Sequence, residues 1–449
     1  MKIIILGAGT VGFQLAKVMA DDRKDVVIID SDAERIKFIS ERLDCLIIQG
    51  EAGNIQVLKA AGMKDADFFL ALSGSDEMNI VSCSLVSSVF HVPKTIARIR
   101  NIHYLRSNIF EKHINGISYL LNPETESANV VITSILSGMV SDVLCFDRSE
   151  LQMRNIQVQA DSVFCGRTVQ EIRALSGSEF LLAGIFRSDE FFIPAGSTIV
   201  QENDNCYFMA HDHVLREIFS LGGKKTDVLS RIVIAGAGDI GGFISRSLLG
   251  SHIKLTIIDN NKERCKRLAS DMPDALILHA DISSENIFED EKLYHNDLFI
   301  ACTSNQEVNL LTALRAKHCG IKKTAAIVKN NSFSDLALKL GIDLIVNVNS
   351  TSVNSVLRYL RGHNISRVYT LFGGTAEVIE LTVGVNCPVK DILIRDIKMP
   401  SGSLILSVSR DGKTVIAQGN IFIHKGDSLV LISEKTSIPD IETLFINKS

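Results

Sequence analysis

Three glycines near the start of the chain have the spacing of a phosphate-binding turn. Residues 3–12 read I-I-I-L-G-A-G-T-V-G, in which an apolar run leads into G-x-G-x-x-G. In such a turn Gly7 permits the tight bend, Gly9 lets backbone amides approach a pyrophosphate, and Gly12 lets the next helix pack closely on the strand. The helix N-terminus adds free N–H groups and partial positive charge. The predicted phosphate loop comprises Gly7, Ala8, Gly9, Thr10, Val11 and Gly12.

A carboxylate follows this turn at the distance expected for a contact with ribose. Asp30 ends the apolar run V-V-I-I-D and lies 23 residues after Gly7. An acid at this point accepts hydrogen bonds from ribose hydroxyls and repels a 2′-phosphate. The predicted ligand is therefore NAD(H), with ATP or ADP as further candidates, rather than NADP. A lone glycine motif is weak evidence, but the strand before it, the helix after it and the acid strengthen it.

The same pattern occurs a second time in the chain. Residues 231–242 read R-I-V-I-A-G-A-G-D-I-G-G, and each motif glycine lies 229 residues after its counterpart. Asp259 matches Asp30 with the same offset. So regular an offset indicates an internal duplication. The second predicted site comprises Gly236, Ala237, Gly238, Asp239, Ile240, Gly241 and Asp259.

Polar residues after the fourth and fifth predicted strands of each copy are candidates to complete the sites. Ser73-Gly74 follows the fourth strand of the first copy, and Thr303-Ser304 is its counterpart. Because open α/β sheets bind ligands beyond the carboxyl ends of their strands, these residues are expected to face the same crevice. Arg98 is predicted to bring positive charge to a phosphate, and Arg100 is a second candidate. Either arginine could instead be an exposed charge at a strand end.

The second copy departs from the first at positions that affect phosphate binding. It carries an extra carboxylate in the phosphate loop and lacks an arginine on the fifth strand. The changes from the first copy to the second are Gly50-Glu51 to Ala280-Asp281, Thr10 to Asp239, Arg98 to Ile327 and Arg100 to Lys329. Both changes of charge disfavour an anion. The second copy is therefore either a working site or a degenerate one kept for its structure.

The elements that must position these residues alternate between short β-branched runs and helical patterns. This alternation is typical of βαβ units. The predicted fold class is α/β, with two Rossmann-like, doubly wound parallel-sheet domains, each followed by a small α+β module rich in strands and turns. The expected boundaries are 1–123 and 142–226 for the first pair, and 229–349 and 367–449 for the second.

Composition excludes several classes of partner. The net charge is −5 and no basic strip is present, which argues against nucleic acid or anionic lipid as a ligand. No apolar stretch reaches the roughly 18 to 20 residues of a membrane span. The nine cysteines form no C-x-x-C pair, as expected for reduced thiols, and the start of the chain does not resemble a signal peptide. A cytoplasmic location is therefore expected, with any membrane association made through a protein partner.

Catalysis is less well supported than binding. Hydride transfer would require a general acid or base brought to the nicotinamide. The modules after the two glycine-motif domains share no cluster of His, Lys or Tyr. The pattern favours a binding protein whose occupancy moves its domains, with an NAD-dependent oxidoreductase as the alternative from another class.

The duplicated order of domains resembles that of the TrkA family. The resemblance rests also on four segments, I-I-I-L-G-A-G-T-V-G, V-V-I-I-D, A-R-I-R-N and I-V-I-A-G-A-G-D-I-G. Members of the family are peripheral regulatory subunits of bacterial Trk potassium uptake systems, built from tandem RCK (KTN) domains. The resemblance covers essentially the whole chain. It implies a homo-oligomer, either a dimer or a tetrameric ring, at the cytoplasmic face of the inner membrane. Its partner would be a TrkH-type or TrkG-type membrane subunit, and its ligands NAD(H) and adenine nucleotides.

Carried over by position, the resemblance assigns the first nucleotide site to residues 7–12, Asp30, Ser73-Gly74 and Arg98. It assigns the second site to residues 236–241, Asp259 and Thr303-Ser304, where Ile327 breaks the match to the arginine. A sensor of the same architecture that serves another potassium channel or an antiporter is the remaining alternative.

Overall fold

Apolar runs near the start of the chain form a parallel sheet in the computed structural model. The structure describes residues 1–51, 53–101, 104, 116–136, 143–175, 177–188, 190–222, 229–360, 365–371 and 375–445. It divides into one unit of residues 1–128 with 347–360 and a second unit of residues 129–346 with 361–449. The expected domain ends at 142, 226 and 449 lie outside the described residues.

The sheet of the first unit has the order β3-β2-β1-β4-β5-β6, with parallel pairing throughout. Its strands are β1 (Lys2–Leu6), β2 (Asp25–Asp30), β3 (Leu46–Gln49), β4 (Phe68–Ala71), β5 (Lys94–Arg98) and β6 (Tyr119–Leu121). The helices here are α1 (Thr10–Asp21), α2 (Ala33–Ser40), α3 (Ile55–Ala60), α4 (Asp76–Phe90) and α5 (Pro123–Leu136). Because β1 lies between β2 and β4, the order of the strands reverses beside the glycine turn, where ligands of doubly wound sheets bind.

Both faces of this sheet are covered, which explains why its strands are apolar without alternation. Ile3, Ile5 and Ile96 pack on one face with Leu15 of α1. Their sequence neighbours pack on the other face in a second cluster that includes Ile4, Phe69, Ala97, Leu58 and Cys83. The two cores hold the carboxyl ends of β1, β2, β4 and β5 in fixed register.

An antiparallel module follows in the second unit. Its strands are β7 (Val143–Cys145), β8 (Gln152–Gln157), β9 (Leu181–Arg187), β10 (Glu190–Phe192) and β11 (Asn205–Ala210), in the order β10-β9-β11-β8-β7. Its helices are α6 (Val169–Leu175) and α7 (Asp212–Leu221). Arg187 donates to the buried Asp204 at 2.7 Å and fixes the end of β9 against the loop before β11.

The second Rossmann-like sheet repeats the first. Its strands are β12 (Arg231–Ala235), β13 (Lys254–Asp259), β14 (Leu276–His279), β15 (Leu298–Ala301), β16 (Lys323–Val328) and β17 (Leu344–Asn347), in the order β14-β13-β12-β15-β16-β17. The helices are α8 (Asp239–Ser247), α9 (Lys262–Asp271), α10 (Ile287–Asp290), α11 (Gln306–His318) and α12 (Asn331–Lys339). The predicted class, with two Rossmann-like domains each followed by a smaller module, is confirmed.

The helix after β17 belongs to the first unit. Helix α13 (Val348–Leu360) buries Val353, Val356, Leu357 and Leu360 in the cluster that contains α1 and one face of the first sheet. Tyr359 stacks on Tyr119 with ring centroids 4.9 Å apart, and Ser355 donates to Glu126 at 2.7 Å. A segment of the second half of the chain therefore completes the core of the first nucleotide-binding domain.

The second antiparallel module ends the chain. Its strands are β18 (Ile365–Leu371), β19 (Ala376–Thr382), β20 (Ser403–Arg410), β21 (Lys413–Ile416) and β22 (Ser428–Glu434), in the order β18-β19-β22-β20-β21, with helix α14 (Ile438–Phe445). Arg410 pairs with the buried Asp427 at 2.8 Å, repeating the Arg187–Asp204 pair of the first module. The duplication thus extends to the ion pairs of the modules.

The two antiparallel modules share an apolar interface. The cluster combines Leu144, Phe146, Leu151, Met153, Ala183, Phe191, Tyr207 and Met209 with Leu371, Ala376, Val378, Leu406, Ile416, Val430 and Ile432. At its edge the buried carboxylate of Glu380 accepts hydrogen bonds from the amides of Asp147 and Arg148, both at 2.8 Å. Burial raises the pKa of the Glu380 carboxyl above its usual value.

This raised pKa predicts a pH dependence of the module interface. Because the folded state holds the Glu380 proton more tightly than the unfolded state, its contribution to stability is present below the unfolded pKa and lost as pH rises through the raised value. As the pH rises above about 4, the melting temperature of the wild type should therefore fall relative to that of Glu380→Gln. Thermal scans at a series of pH values test this, and a difference between the two proteins that does not vary with pH would contradict it.

No helix among the residues that the structure describes is long and apolar enough to cross a membrane.

Candidate functional site

The first glycine turn requires glycine at two of its positions. Gly7 has φ of +103°, a conformation that side chains other than glycine rarely adopt, and a Cβ there would lie 2.8 Å from the carbonyl oxygen of Leu72. A Cβ on Gly12 would lie 1.9 Å from the carbonyl oxygen of Gly7. The amide of Gly7 donates to the carbonyl of Ile29 at 2.9 Å and ties the turn to the end of β2. The turn is therefore closed against the sheet by backbone contacts.

Gly9 has a different role, because the space around it is open. A Cβ at this position would meet nothing within 4 Å, and its backbone lies in the extended region with φ of −71°. Helix α1 begins at the next residue, and among the described residues no side chain caps that end. The first amides of α1 therefore point into a space that a phosphate can approach through Gly9.

Asp30 links the phosphate loop to the end of β2. Its buried carboxylate accepts the amide of Ala8 at 2.6 Å on Oδ2 and the amide of Asp32 at 2.9 Å on Oδ1. Each oxygen retains a further acceptor position, because an ionised carboxylate offers about four. These positions are suited to the two hydroxyls of a ribose.

Ser73 and Gly74 lie after β4, and their position depends on a residue that sequence reasoning missed. The buried amide side chain of Asn79 accepts from Ser73 N at 2.9 Å and from Ser73 Oγ at 2.7 Å. It also donates to the carbonyl of Arg98 at 2.8 Å. Asn79 therefore fixes the ends of β4 and β5 to each other. Its recurrence as Asn309 in the second copy was the signal that could have found it.

Arg98 and Arg100 are placed differently. Arg98 follows Ile96 on the face of β5 that packs with α1, because alternate residues of a strand share a face. Its Nε atom is buried and has no hydrogen-bond partner among the described residues. Arg100 is exposed, and its backbone amide is held by the carboxylate of Asp76 at 3.0 Å. An unpaired buried donor on the α1 face fits an anionic ligand, whereas Arg100 is an exposed charge at the strand end.

The second copy reproduces this frame closely. Gly236 has φ of +108°, and a Cβ on Gly241 would lie 1.8 Å from the carbonyl oxygen of Gly236. Asp259 accepts the amide of Ala237 at 2.7 Å, as Asp30 does from Ala8. Asn309 accepts from Thr303 N at 2.8 Å and donates to the carbonyl of Ile327 at 2.9 Å. The structure thus brings the predicted residues of each copy to one edge of its own sheet.

The structure also places the residues at which the second copy differs from the first. Asp239 is the first residue of helix α8, next to Gly238 and Ile240 in the predicted phosphate loop, and adds an exposed carboxylate at the N-terminus of that helix. Ile327 is buried at the position of Arg98, and Thr303 and Ser304 follow β15. Cys302 lies beside the turn, with Sγ 3.1 Å from the carbonyl oxygen of Gly236. Burial raises the pKa of the Cys302 thiol to about 12, so this group is a packing residue rather than a nucleophile.

The residues of the first site fit a nucleotide. The open approach at Gly9, the amides at the start of α1 and the unpaired Nε of Arg98 suit phosphates, and Asp30 suits a ribose. Among the described residues, no group of three or more His, Cys, Asp or Glu side chains could hold a metal ion.

Comparison with protein families finds two matches, each occurring twice. The TrkA-N domain matches residues 3–123 and 232–348, and the TrkA-C domain matches residues 153–221 and 378–446. Both Rossmann-like domains and both antiparallel modules are therefore members of known domain families.

Similar proteins match over nearly the full length of the chain. A Trk system potassium uptake protein TrkA of Halomonas elongata is 30% identical, covering 99% of this chain and 98% of its own. A TrkA homologue of Methanosarcina mazei is 29% identical over 99% of this chain and 100% of its own.

Solved structures share the fold at low sequence identity. The RCK domain of GsuK superposes with a TM-score of 0.57 at 16% identity, covering 98% of this chain and 94% of that one. A GsuK channel bound to NAD superposes with a TM-score of 0.56 at 16% identity, covering 99% of this chain and 78% of that one.

Proposed function

The chain belongs to the TrkA family of Trk system potassium uptake proteins, as its sequence indicates, and from this premise we propose that it is a peripheral, nucleotide-binding regulatory subunit. In this proposal it controls a Trk-type potassium uptake system and catalyses no reaction. The observation that carries the proposal is the first site, where an open glycine turn, a buried ribose acid and an unpaired arginine donor meet at one sheet edge.

The proposed ligands are NAD(H) and the adenine nucleotides ATP and ADP. In the first site, residues 7–12 would bind the phosphates, Asp30 the ribose, and Arg98 a phosphate oxygen. Ser73 and Gly74 would line the crevice after β4. NAD and ADP are each bound in structures of GsuK, whose fold this chain shares. The second site would use residues 236–241, Asp259, Thr303 and Ser304, with a weaker hold on phosphate because of Asp239 and Ile327.

The proposed mechanism is a shift between two settings of the domains. One nucleotide stabilises one setting, and a membrane subunit responds to it. A ligand can do this only if it binds the two settings with different affinities, and typical coupling is about 1 to 3 kcal/mol. The buried Asn79 and the glycine turn make the ends of β1, β2, β4 and β5 a rigid frame through which occupancy can act.

The proposed partner is a TrkH-type or TrkG-type membrane subunit, contacted from the cytoplasm by a homo-oligomer, either a dimer or a tetrameric ring. Family membership supports this assignment. Purification of the tagged chain from membranes, followed by identification of what it retains, tests it. Recovery of a Trk-type membrane subunit is expected, and recovery of a different potassium channel or an antiporter in its place would contradict it.

Calorimetric titration of the wild-type chain with NADH, NAD⁺, ATP and ADP tests ligand binding. Saturable binding of at least one nucleotide is expected, with different affinities for NADH and ATP. Absence of binding by all four would remove the proposed ligand.

Arg98 provides a specific test of the phosphate contact. Arg98→Ala should weaken nucleotide binding at the first site by about tenfold, because one hydrogen bond from a charged donor is lost. The matched control is Arg100→Ala, which removes the same charge from an exposed position two residues away and should leave affinity nearly unchanged. Equal losses in both variants would show that general charge, and not the Arg98 contact, holds the phosphate.

A further inference from the structure

The two ribose acids are held alike by the backbone. Each carboxylate accepts one amide on Oδ2 and one on Oδ1, at distances between 2.6 and 2.9 Å. The donors are Ala8 and Asp32 for Asp30, and Ala237 and Asn261 for Asp259. Since a carboxylate offers about four acceptor positions, each backbone frame leaves about two for a ligand.

A side chain takes these remaining positions in the second copy. Arg264 places Nη1 3.0 Å from Oδ2 and 3.3 Å from Oδ1 of Asp259. Asp259 is nearly fully buried and Arg264 is 40% exposed, so this charge-assisted pair lies at the edge of the buried region. The ribose acid of the second site is thereby saturated by groups of the protein itself.

The equivalent arginine of the first copy, Arg35, forms its ion pair with Asp32. Arg35 directs Nε to Asp32 Oδ2 at 3.3 Å, and its Nη1 lies 3.9 Å from Asp30 Oδ2. It makes no hydrogen bond to Asp30 within the described part of the chain. Asp30 therefore keeps acceptor positions for ribose hydroxyls, although an arginine stands at the same place in both copies.

One substitution between the copies accounts for this difference. Position 32 is aspartate and its counterpart, position 261, is asparagine. Both residues cap the following helix, Asp32 through the amides of Glu34 and Arg35 and Asn261 through the amide of Arg264. Only Asp32 carries a charge that can also hold the arginine side chain. The neutral Asn261 leaves Asp259 as the carboxylate that Arg264 contacts.

We propose that Arg264 is a specificity-determining residue of the second site. It occupies the acceptor positions of Asp259 that an unmodified ribose would use, so this site binds a nucleotide with free ribose hydroxyls more weakly than the first. The inference rests on the proposed nucleotide-binding function. It attributes part of the lower nucleotide affinity of the second site to the side chain of Arg264, in addition to the effects of Asp239 and Ile327.

Calorimetry with NADH on the full chain tests the proposal, using Asp30→Ala as the background that weakens binding at the first site by about 100-fold. Adding Arg264→Ala should tighten second-site binding by about tenfold, because a ribose no longer competes with the guanidinium. Loss of a positive charge would ordinarily weaken binding of an anion, so the predicted direction is distinctive. The control is Arg267→Ala in the same background, which removes an exposed arginine of the same helix and should change nothing.

The reverse exchange tests the cause in the first site. Asp32→Asn should release Arg35 onto Asp30 and weaken first-site binding of NADH several-fold. Unchanged or weaker second-site binding after Arg264→Ala, or no second-site binding in any variant, would overturn the proposal about Arg264. The proposed function would still stand in that case if the wild type binds nucleotide at the first site. Absence of binding by the wild type would instead overturn the proposed function itself.

Discussion

Replacing Asp30 with alanine is expected to reduce NADH affinity at the first site by about 100-fold. The carboxylate is the acceptor proposed for two ribose hydroxyls, and hydrogen bonds to a charged group contribute about 1.5 to 3 kcal/mol. It also holds the amides of Ala8 and Asp32 at 2.6 and 2.9 Å, so its loss releases the phosphate loop from the end of β2. Calorimetric titration with NADH measures the change.

The same strand offers a control for this substitution. Asp25 begins β2 and is exposed, whereas Asp30 ends it and is buried. Asp25→Ala removes the same charge without touching the site and should bind NADH as the wild type does. Wild-type affinity in a folded Asp30→Ala protein would contradict the assignment of the ribose acid.

Alanine substitutions at two glycines of the first turn should have different effects, one on stability and the other on nucleotide binding. Gly12→Ala places a Cβ 1.9 Å from the carbonyl oxygen of Gly7, a contact that only a shift of backbone can relieve. Overpacking of this kind costs about 3 kcal/mol. The variant should therefore melt well below the wild type, as thermal unfolding followed by circular dichroism would record.

Gly9→Ala should leave the fold intact and reduce binding. A Cβ there meets nothing within 4 Å, and φ of −71° is accessible to alanine. The methyl group occupies the space through which the pyrophosphate would approach, so NADH affinity should fall by tenfold or more while the melting temperature changes little. A Gly9→Ala protein with wild-type affinity would show that no phosphate lies against this turn.

Much of the predicted nucleotide site could be recognised from the sequence because it depends on local features. The glycine spacing, the apolar strands and the acid after β2 each follow from backbone geometry that neighbouring residues determine. Duplication strengthened the prediction, because the second copy repeats the three glycines and the acid with an offset of 229 residues. The ligand-contact residues remain predictions, and the substitutions above address them directly.

Other features depend on contacts that no local pattern reveals. The apolar stripe of α13 predicts a buried helix face, but nothing in its sequence indicates that it packs against α1, more than 300 residues earlier. Asn79 is a single polar residue in a helix, and only its contacts to Ser73 and Arg98 show that it joins two strand ends. Arg35 pairs with Asp32 whereas Arg264 pairs with Asp259, a difference that appears only once the side chains are placed.

Under the proposed function, nucleotide occupancy of this chain controls potassium flux. Rubidium uptake into proteoliposomes that contain the Trk-type membrane subunit, with the chain added alongside NADH or ATP, tests it most directly. The control is the double variant Gly9→Ala, Gly238→Ala, since Gly238 is as open as Gly9 in the second turn. Different uptake with NADH and ATP, lost in the double variant, is the predicted result. Equal affinity for both nucleotides with equal effects on uptake, or a double variant that still responds, would contradict the account.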